Sequence, residues 1–417
     1  MYIKRAIEDS ITKISKSFPV LLVTGPRQVG KTTLLQYLAG SERTYITLDN
    51  PDVRFLAKND PAMFMQRYTP PVTIDEIQYA PEILPYIKMS VDRSGNKGDF
   101  WLTGSQMFHM MKNVSESLAG RVGIVNLLGL SNSEINDVSS ESFTTSPERL
   151  MIRMRKVEKM TLLEIYERIF RGSMPALYAD KEMNLENFYS SYINTYLQRD
   201  IKDLTQVADE MSFYNFMVAV AARTAKPIIY NELAKDVGIS APTVKKWLSV
   251  LVSSHIVAMV QPYHNNVLKR IVKTPLLHFL DTGLCAYLLK WGNAEILERG
   301  AMAGAFFESW VFSEIYKSYL NAAKESPIFY YRDKDQKEID LLLMQDGNLY
   351  PIEVKKSASP GKEAIKHFKV LDPVTEPERF GELEQYKMGI GTGVVVCMAN
   401  DLLPIDKKNW YIPAWLI

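Results

Sequence analysis

The stretch Val20–Leu35, VLLVTGPRQVGKTTLL, decides how the rest of the chain is read. Val20 to Val23 is an uninterrupted apolar run, the pattern of a strand covered on both faces. Gly25-Pro26-Arg27-Gln28-Val29-Gly30-Lys31-Thr32 then fits the spacing G-x-x-x-x-G-K-[ST]. Leu34, Leu35 and Leu38 follow as a helical stripe. Strand, glycine loop and helix in that order form the setting the pattern requires. Gly25 and Gly30 let the backbone curl so that its N–H groups, from Gly25 through Thr33, face a polyphosphate. The helix beginning near Lys31 adds the positive end of its dipole. Lys31 then reaches the β- and γ-phosphates, and Thr32 ligates Mg²⁺. ATP and Mg²⁺ are the cofactors this stretch implies.

The next segments supply a sheet for that loop. Thr44–Leu48 reads as a second strand and Pro71-Val72-Thr73-Ile74-Asp75-Glu76 as a third. A strand ending in Asp-Glu after such a loop places Asp75 on the Mg²⁺ shell and Glu76 on the attacking water. Phe100–Thr103 makes a fourth strand, with Thr103, Ser105 and Gln106 at its tip as candidates for the γ-phosphate. Arg121 directly precedes a fifth strand, Val122–Leu127, where it either stabilises transferring charge, in its own or a neighbouring subunit, or holds a structural ion pair. Ile3, Ile7, Ile11 and Ile14 predict an amphipathic helix over 3–17. The alternation predicts a doubly wound, mainly parallel α/β sheet with ATP at its carboxyl edge.

Composition narrows the class. A chain of 417 residues exceeds one ordinary core. Its 47% hydrophobic and 23% charged residues are those of a globular protein. With a net charge of +1, nucleic-acid binding must come from a local patch. Two cysteines far apart and five scattered histidines offer neither a disulfide framework nor a zinc site. The charged start MYIKRAIEDS and the lack of any span-length apolar run point to the cytoplasm and away from the membrane.

GPRQVGKTTLL, YITLDNPDVR, TIDEIQYAPEILPYIK, LTGSQ and SESLAGRV, in this order and spacing, resemble a large family of bacterial and archaeal AAA-type P-loop ATPases. The resemblance implies ATP binding. It also implies a C-terminal domain of unknown function that looks like a restriction-endonuclease fold. The expected parts are an ATPase domain over 1–135, a linker and helical lid over 136–210, a winged helix over 211–290 and the nuclease-like domain over 298–417.

Residues 131–160 are Ser-rich and then charged, and read as a loop or linker. Helices are predicted over Thr161–Phe170 and Asn184–Leu204, with Arg199 either reaching the nucleotide or paired within its helix. Ile229–Val237, the turn Gly238-Ile239-Ser240 and Pro242–Ser253 read as a helix-turn-helix. Its open face carries Thr243, Lys245, Lys246 and Ser249, with Lys269, Arg270 and Lys273 as a basic wing. Such a face fits a DNA major groove, or else packs against protein.

The C-terminal part begins with a helix over 300–320 bearing Glu308 and Glu314. A hairpin follows, turning at Asp346-Gly347. Counting back from that turn sets Asp340 opposite Glu353, with Lys355 two residues on and on the same face. This matches the D…E-x-K signature of PD-(D/E)xK nucleases that the resemblance includes. Asp340, Glu353 and Glu308 are the predicted ligands of Mg²⁺ or Mn²⁺, and Lys355 the group that orients water. The function read from the sequence is an ATPase regulating a nuclease-like domain. The alternative is a non-cleaving nucleotide switch that binds DNA, a protein partner or further copies of itself.

Overall fold

A computed structural model describes residues 2–104, 114, 116–196, 210–263, 274–371 and 388–417. Five parallel strands form the first sheet: β1 Val20–Thr24, β2 Thr44–Thr47, β3 Val72–Asp75, β4 Phe100–Gly104 and β5 Val122–Asn126, in the order β2-β3-β4-β1-β5. The apolar run of β1 explains its central place. Leu21 and Val23 pack into one buried cluster, with Ile7, Ile11, Leu34 and Leu35. Val20 and Leu22 pack into another, with Ile46, Ile74, Phe100 and Leu102. A strand alternating between two cores is covered on both faces, as a doubly wound sheet requires.

Helix α1 spans Glu8–Ser17 rather than 3–17, because the segment before it is held by Arg5. The Arg5 guanidinium is buried, donating to Val29 O at 2.8 Å and Leu128 O at 2.7 Å and pairing with Glu134 at 2.9 Å. Helix α2 spans Lys31–Ala39.

The stretch read as a linker over 131–160 contains two helices, Asn132–Ile135 and Pro147–Met154. The first is fixed by a capping box: Glu134 N–H donates to Ser131 Oγ at 3.3 Å and Ser131 N–H to Glu134 Oε2 at 2.7 Å. The S-x-x-E signal was present in the sequence. Its residues are buried because Arg5 and the C-terminal part both bind to them, and polarity alone gave the wrong reading.

The middle of the chain packs α3 Glu210–Ala221, α4 Tyr230–Val237 and α5 Ala241–Ser253 against a small antiparallel sheet of β6 Lys226–Pro227, β8 Leu276–Phe279 and β7 Val257–Val260, in that order. Ser240 caps α5, accepting from Thr243 N–H at 3.2 Å, and Val244, Trp247, Leu248 and Leu251 are buried as the stripe predicts.

The last part is a long helix, α6 Ala303–Asn321, beside a mixed seven-stranded sheet. Its strands are β9 Ile328–Arg332, β10 Glu338–Gln345, β11 Asn348–Val354, β12 Gly389–Ile390, β13 Gly393–Cys397, β14 Leu403–Pro404 and β15 Asn409–Pro413. Pro351 lies inside β11, a poor place for a residue without an N–H. It is tolerated because β12 pairs β11 only at 348–349 and β13 only from 352, so Pro351 faces the gap between them. Helix α6 ties this part to the first: Glu314 accepts from Asn132 N–H at 2.7 Å, and Lys317 donates to Leu130 O at 2.9 Å.

Candidate functional site

The glycine loop leaves β1 at Thr24 and enters α2 at Lys31. Gly25 has φ +141°, and a Cβ there would meet Leu127 O at 1.9 Å, so only glycine fits. Gly30 turns the chain into α2 at φ +87°. Lys31 Nζ donates to Gly25 O at 3.0 Å and Pro26 O at 2.7 Å, which folds the side chain back over its own loop. Pro26, Arg27, Gln28 and Val29 form the loop between, with Gln28 in the left-handed region at φ 60°. Thr33 is the third residue of α2.

Asp75 ends β3 and gathers hydroxyl groups. Thr32 Oγ1 lies 3.0 Å from both carboxylate oxygens, Tyr45 OH donates at 2.8 Å, and Thr103 Oγ1 donates to the same carboxylate. A hydroxyl and a carboxylate this close fit one hard cation shell, the carboxylate acting directly or through water. Tyr45 and Thr103 escaped the sequence reading as partners of Asp75. The strand order β2-β3-β4, which brings their positions beside it, was the missing information.

Glu76 follows in the left-handed region at φ 58°, with its N–H donating to Thr103 Oγ1 at 3.1 Å and its carboxylate accepting from Gln78. A non-glycine residue there costs about 1–2 kcal/mol, and such outliers collect at functional sites. Ser105, Gln106, Arg199, Lys269, Arg270 and Lys273 lie outside the described residues.

Arg121 stands at the other edge of the sheet. Strand β5 runs parallel to β1 with Val20 beside Val122, and Val20 N–H donates to Arg121 O at 3.2 Å. The length of β1, roughly 16 Å at the rise of a strand, separates Arg121 from the loop of its own chain. Its guanidinium pairs with Asp92, Nε–Oδ1 at 2.5 Å and Nη2–Oδ2 at 3.0 Å, on the protein surface.

The second cluster is on the hairpin. The paired register runs from Gln345–Asn348 to Leu341–Ile352, and β10 shifts against β9 between Ile339 and Leu342, so Asp340 and Glu353 lie just past the end of that register and are joined through Lys355. Asp346 and Gly347 have φ 51° and 72°, the signature of a type I′ turn. Lys355 Nζ lies 2.6 Å from Glu353 Oε1 and 3.7 Å from Asp340 Oδ2, and Asp340 Oδ2 also accepts from Val354 N–H at 2.8 Å. Glu353 Oε2 is buried with no hydrogen-bond partner. Burial, then the Asp340 charge, pushes the Glu353 carboxyl upward. Burial likewise raises Asp340, against the pull of Lys355. Glu308 faces the same group from α6, its carboxyl raised well above the usual range by burial and then by Asp340. Among the described residues no three Asp, Glu, His or Cys groups are placed to hold a metal between them. The ammonium of Lys355 bridges the two hairpin carboxylates, and Glu308 is a neighbour of the pair instead of a third ligand in this arrangement.

Sheet order, loop and acidic strand end together define a P-loop ATPase domain. Residues 17–136 match the AAA domain family, 162–295 a domain of unknown function (DUF8612) and 303–417 another (DUF4143). Two curated relatives, Uncharacterized protein Rv2008c of Mycobacterium tuberculosis and Uncharacterized protein Mb2031c of Mycobacterium bovis, are each 30% identical over 345 residues, 82% of this chain and 71% of theirs. The chain belongs to the family of these mycobacterial proteins, with an AAA-type ATPase domain at its start. Among solved structures it is similar to the Walker-type ATPase PABY2304 of Pyrococcus abyssi, at 15% identity and TM-score 0.41, covering 67% of this chain and 94% of the other. It is also similar to a RuvB variant of Thermotoga maritima, at 17% identity and TM-score 0.28, covering 60% and 88%. Among the described residues no helix is long and apolar enough to cross a membrane.

Proposed function

We propose that the protein binds and hydrolyses Mg·ATP and uses the cycle to control a metal-dependent phosphodiesterase site on its C-terminal hairpin. The observation that carries the first half is the contact of Thr32 with Asp75 beside the glycine loop, 3.0 Å from hydroxyl to carboxylate. Loop N–H groups from Gly25 to Thr33 would cradle the phosphates, Lys31 would leave its loop carbonyls for them, and Thr32 and Asp75 would hold Mg²⁺. Mg²⁺ held there would supply positive charge against the developing charge of the phosphates. Glu76, held just past β3, orients and polarises the attacking water. Ser105 is the residue assigned to the γ-phosphate, and Arg121 acts on the nucleotide of a second copy.

The second half is supported by the orphaned Glu353 Oε2 next to Asp340 and Lys355. An unpartnered carboxylate oxygen in a cluster of acids is the donor chemistry that suits Mg²⁺ or Mn²⁺, which keep several waters around one or two carboxylates. Lys355 would steady the phosphate and Glu308 would hold a proton nearby. In this reading the middle unit is a winged helix that meets DNA through the exposed Lys245 and Lys246 of α5. The test is an assay of purified protein on DNA and RNA with Mg²⁺ or Mn²⁺, with and without ATP. Cleavage that requires the metal and changes with ATP is the expected result. ATP hydrolysis with no cleavage of either polymer would leave a nucleotide switch.

A further inference from the structure

Residues 131–156 and the C-terminal part enclose a cavity of about 150 Å³, room for a benzene-sized body. Three hydrogen bonds hold its walls together. Phe143 N–H donates to Ser318 Oγ of α6 at 2.9 Å, and Tyr319 OH donates to Phe143 O at 3.1 Å. Arg153 Nε donates to Leu416 O at 2.6 Å. The cavity is thus framed by elements far apart in sequence and is not a gap within one loop.

Its lining is divided. Phe143, Leu150 and Leu416 supply an apolar part. Arg149, Arg153 and Lys156 supply cations, with hydroxyls from Ser133, Ser139 and Ser142. Arg149 and Arg153 stand one turn apart on the helix Pro147–Met154 and so share a face, and Lys156 follows just past its end. Two carboxylates line the space as well, and both are engaged. Glu141 pairs with Arg149 at 2.7 Å. Glu314 accepts from Asn132 N–H at 2.7 Å and pairs with Lys317 at 2.9 Å. Arg153 has neutral partners only: Leu416 O, and Ser133 Oγ, to which Nη2 donates at 2.7 Å. No carboxylate among the described residues forms an ion pair with it, and burial lowers its pKa in spite of the Glu314 and Glu141 charges. Folded proteins pair a cation that they withdraw from water. An unpaired guanidinium on an amphipathic cavity calls for an anion with an apolar body. A phosphate monoester suits it best, because its three oxygens can meet guanidinium, ammonium and hydroxyls together.

We propose that the cavity between residues 131–156 and α6 binds a small organic phosphate, a monoester with a ring-sized apolar part. The cavity shares no lining residue with the glycine loop, and the proposal does not depend on a nucleotide there. Phenyl phosphate, benzoate and benzyl alcohol are titrated calorimetrically into wild type, Arg153→Gln, Arg153→Lys, Lys156→Gln and Lys31→Ala. Amide hydrogen exchange over residues 131–156 and 25–33 is followed with phenyl phosphate. Phenyl phosphate should bind at one site, more tightly than benzoate and far more tightly than benzyl alcohol, and should protect 131–156 but not 25–33. Arg153→Gln should weaken it about tenfold, the weight of a hydrogen bond to a charged group, and Arg153→Lys should recover part of the loss. Lys156→Gln should weaken it about two- to fivefold, as for an exposed charge, and Lys31→Ala should change nothing. Lys156 is exposed, so its variant keeps the fold even if Arg153→Gln, which gives up Leu416 O, does not. No saturable binding at millimolar concentration, or benzoate or benzyl alcohol binding as tightly as phenyl phosphate, would overturn the proposal. So would an affinity unchanged in both Arg153→Gln and Lys156→Gln. Protection confined to 25–33, with binding lost in Lys31→Ala, would overturn it too by putting the probe in the glycine loop.

Discussion

The glycine loop and the β10–β11 hairpin both gather charged groups around a small space, by opposite means. The loop is contiguous: Gly25 to Thr32 build it mainly from backbone, and close contact with Leu127 O fixes its shape. The hairpin site is made mainly of side chains, with one backbone donor, Val354 N–H on Asp340. Asp340 and Glu353 lie on the two arms of one hairpin, just past the end of its paired register, and meet at Lys355. Their surroundings differ as well. Asp75 sits among the hydroxyls of Thr32, Tyr45 and Thr103. Glu353 keeps one oxygen without a partner. The first site is finished by its own fold, whereas the second leaves a place for a proton or a cation.

The sharpest way to break this comparison is at the loop. Lys31→Ala should lower ATP affinity at least about 100-fold, since it removes the charged donor that meets two phosphates. Gly25→Ala should do as much, because its Cβ would strike Leu127 O at 1.9 Å. Calorimetric titration with Mg·ATP checks both, and near-normal affinity in Lys31→Ala would remove the loop from nucleotide binding. Glu76→Gln should bind ATP normally while kcat falls about 10²–10⁴-fold, the usual contribution of a general base. Steady-state hydrolysis at wild-type rate would reassign the base.

At the hairpin the effects should be confined to the other activity. Asp340→Ala removes one of two carboxylates and leaves Lys355 with Glu353 alone. Cleavage should fall about 100-fold or more, while ATP hydrolysis stays within about twofold. Equal loss of both activities would mean that Asp340 supports the fold of the chain instead of a separate site.

The contrast also explains what could be read beforehand. The five strands and the loop were visible because apolar runs and glycine spacing are local signals. The hairpin register was visible too, since Asp346-Gly347 names its own turn. Long-range contacts were not. Residues 131–134 look solvated until Arg5 and Glu314 close over them. Arg121 reads from sequence either as a charge for the nucleotide, in its own or a neighbouring subunit, or as an ion pair, and only the parallel register shows that it starts its strand at the end away from its own loop.

The smallest expected effect tests how far the hairpin site depends on its turn. Gly347 sits at φ 72° with no atom within 4 Å of an added Cβ, so an alanine there meets strain and no clash. Gly347→Ala should therefore cost about 1 kcal/mol, the penalty of a side chain in the left-handed region. Asp346 already occupies that region at φ 51°, and Asp346→Gly should cost nothing or stabilise slightly. Both substitutions lie five or more residues from Asp340 and Glu353 along the strands, so neither removes a group from the site. If the register is what brings the carboxylates together, loosening the turn should lower cleavage a few-fold in Gly347→Ala, leave it unchanged in Asp346→Gly, and leave ATP hydrolysis untouched in both. Chemical denaturation of each variant, paired with the two activity assays, measures this. A destabilised Gly347→Ala protein that cleaves at the wild-type rate would show that the rest of the sheet, through β9 and β13, holds the register without the turn.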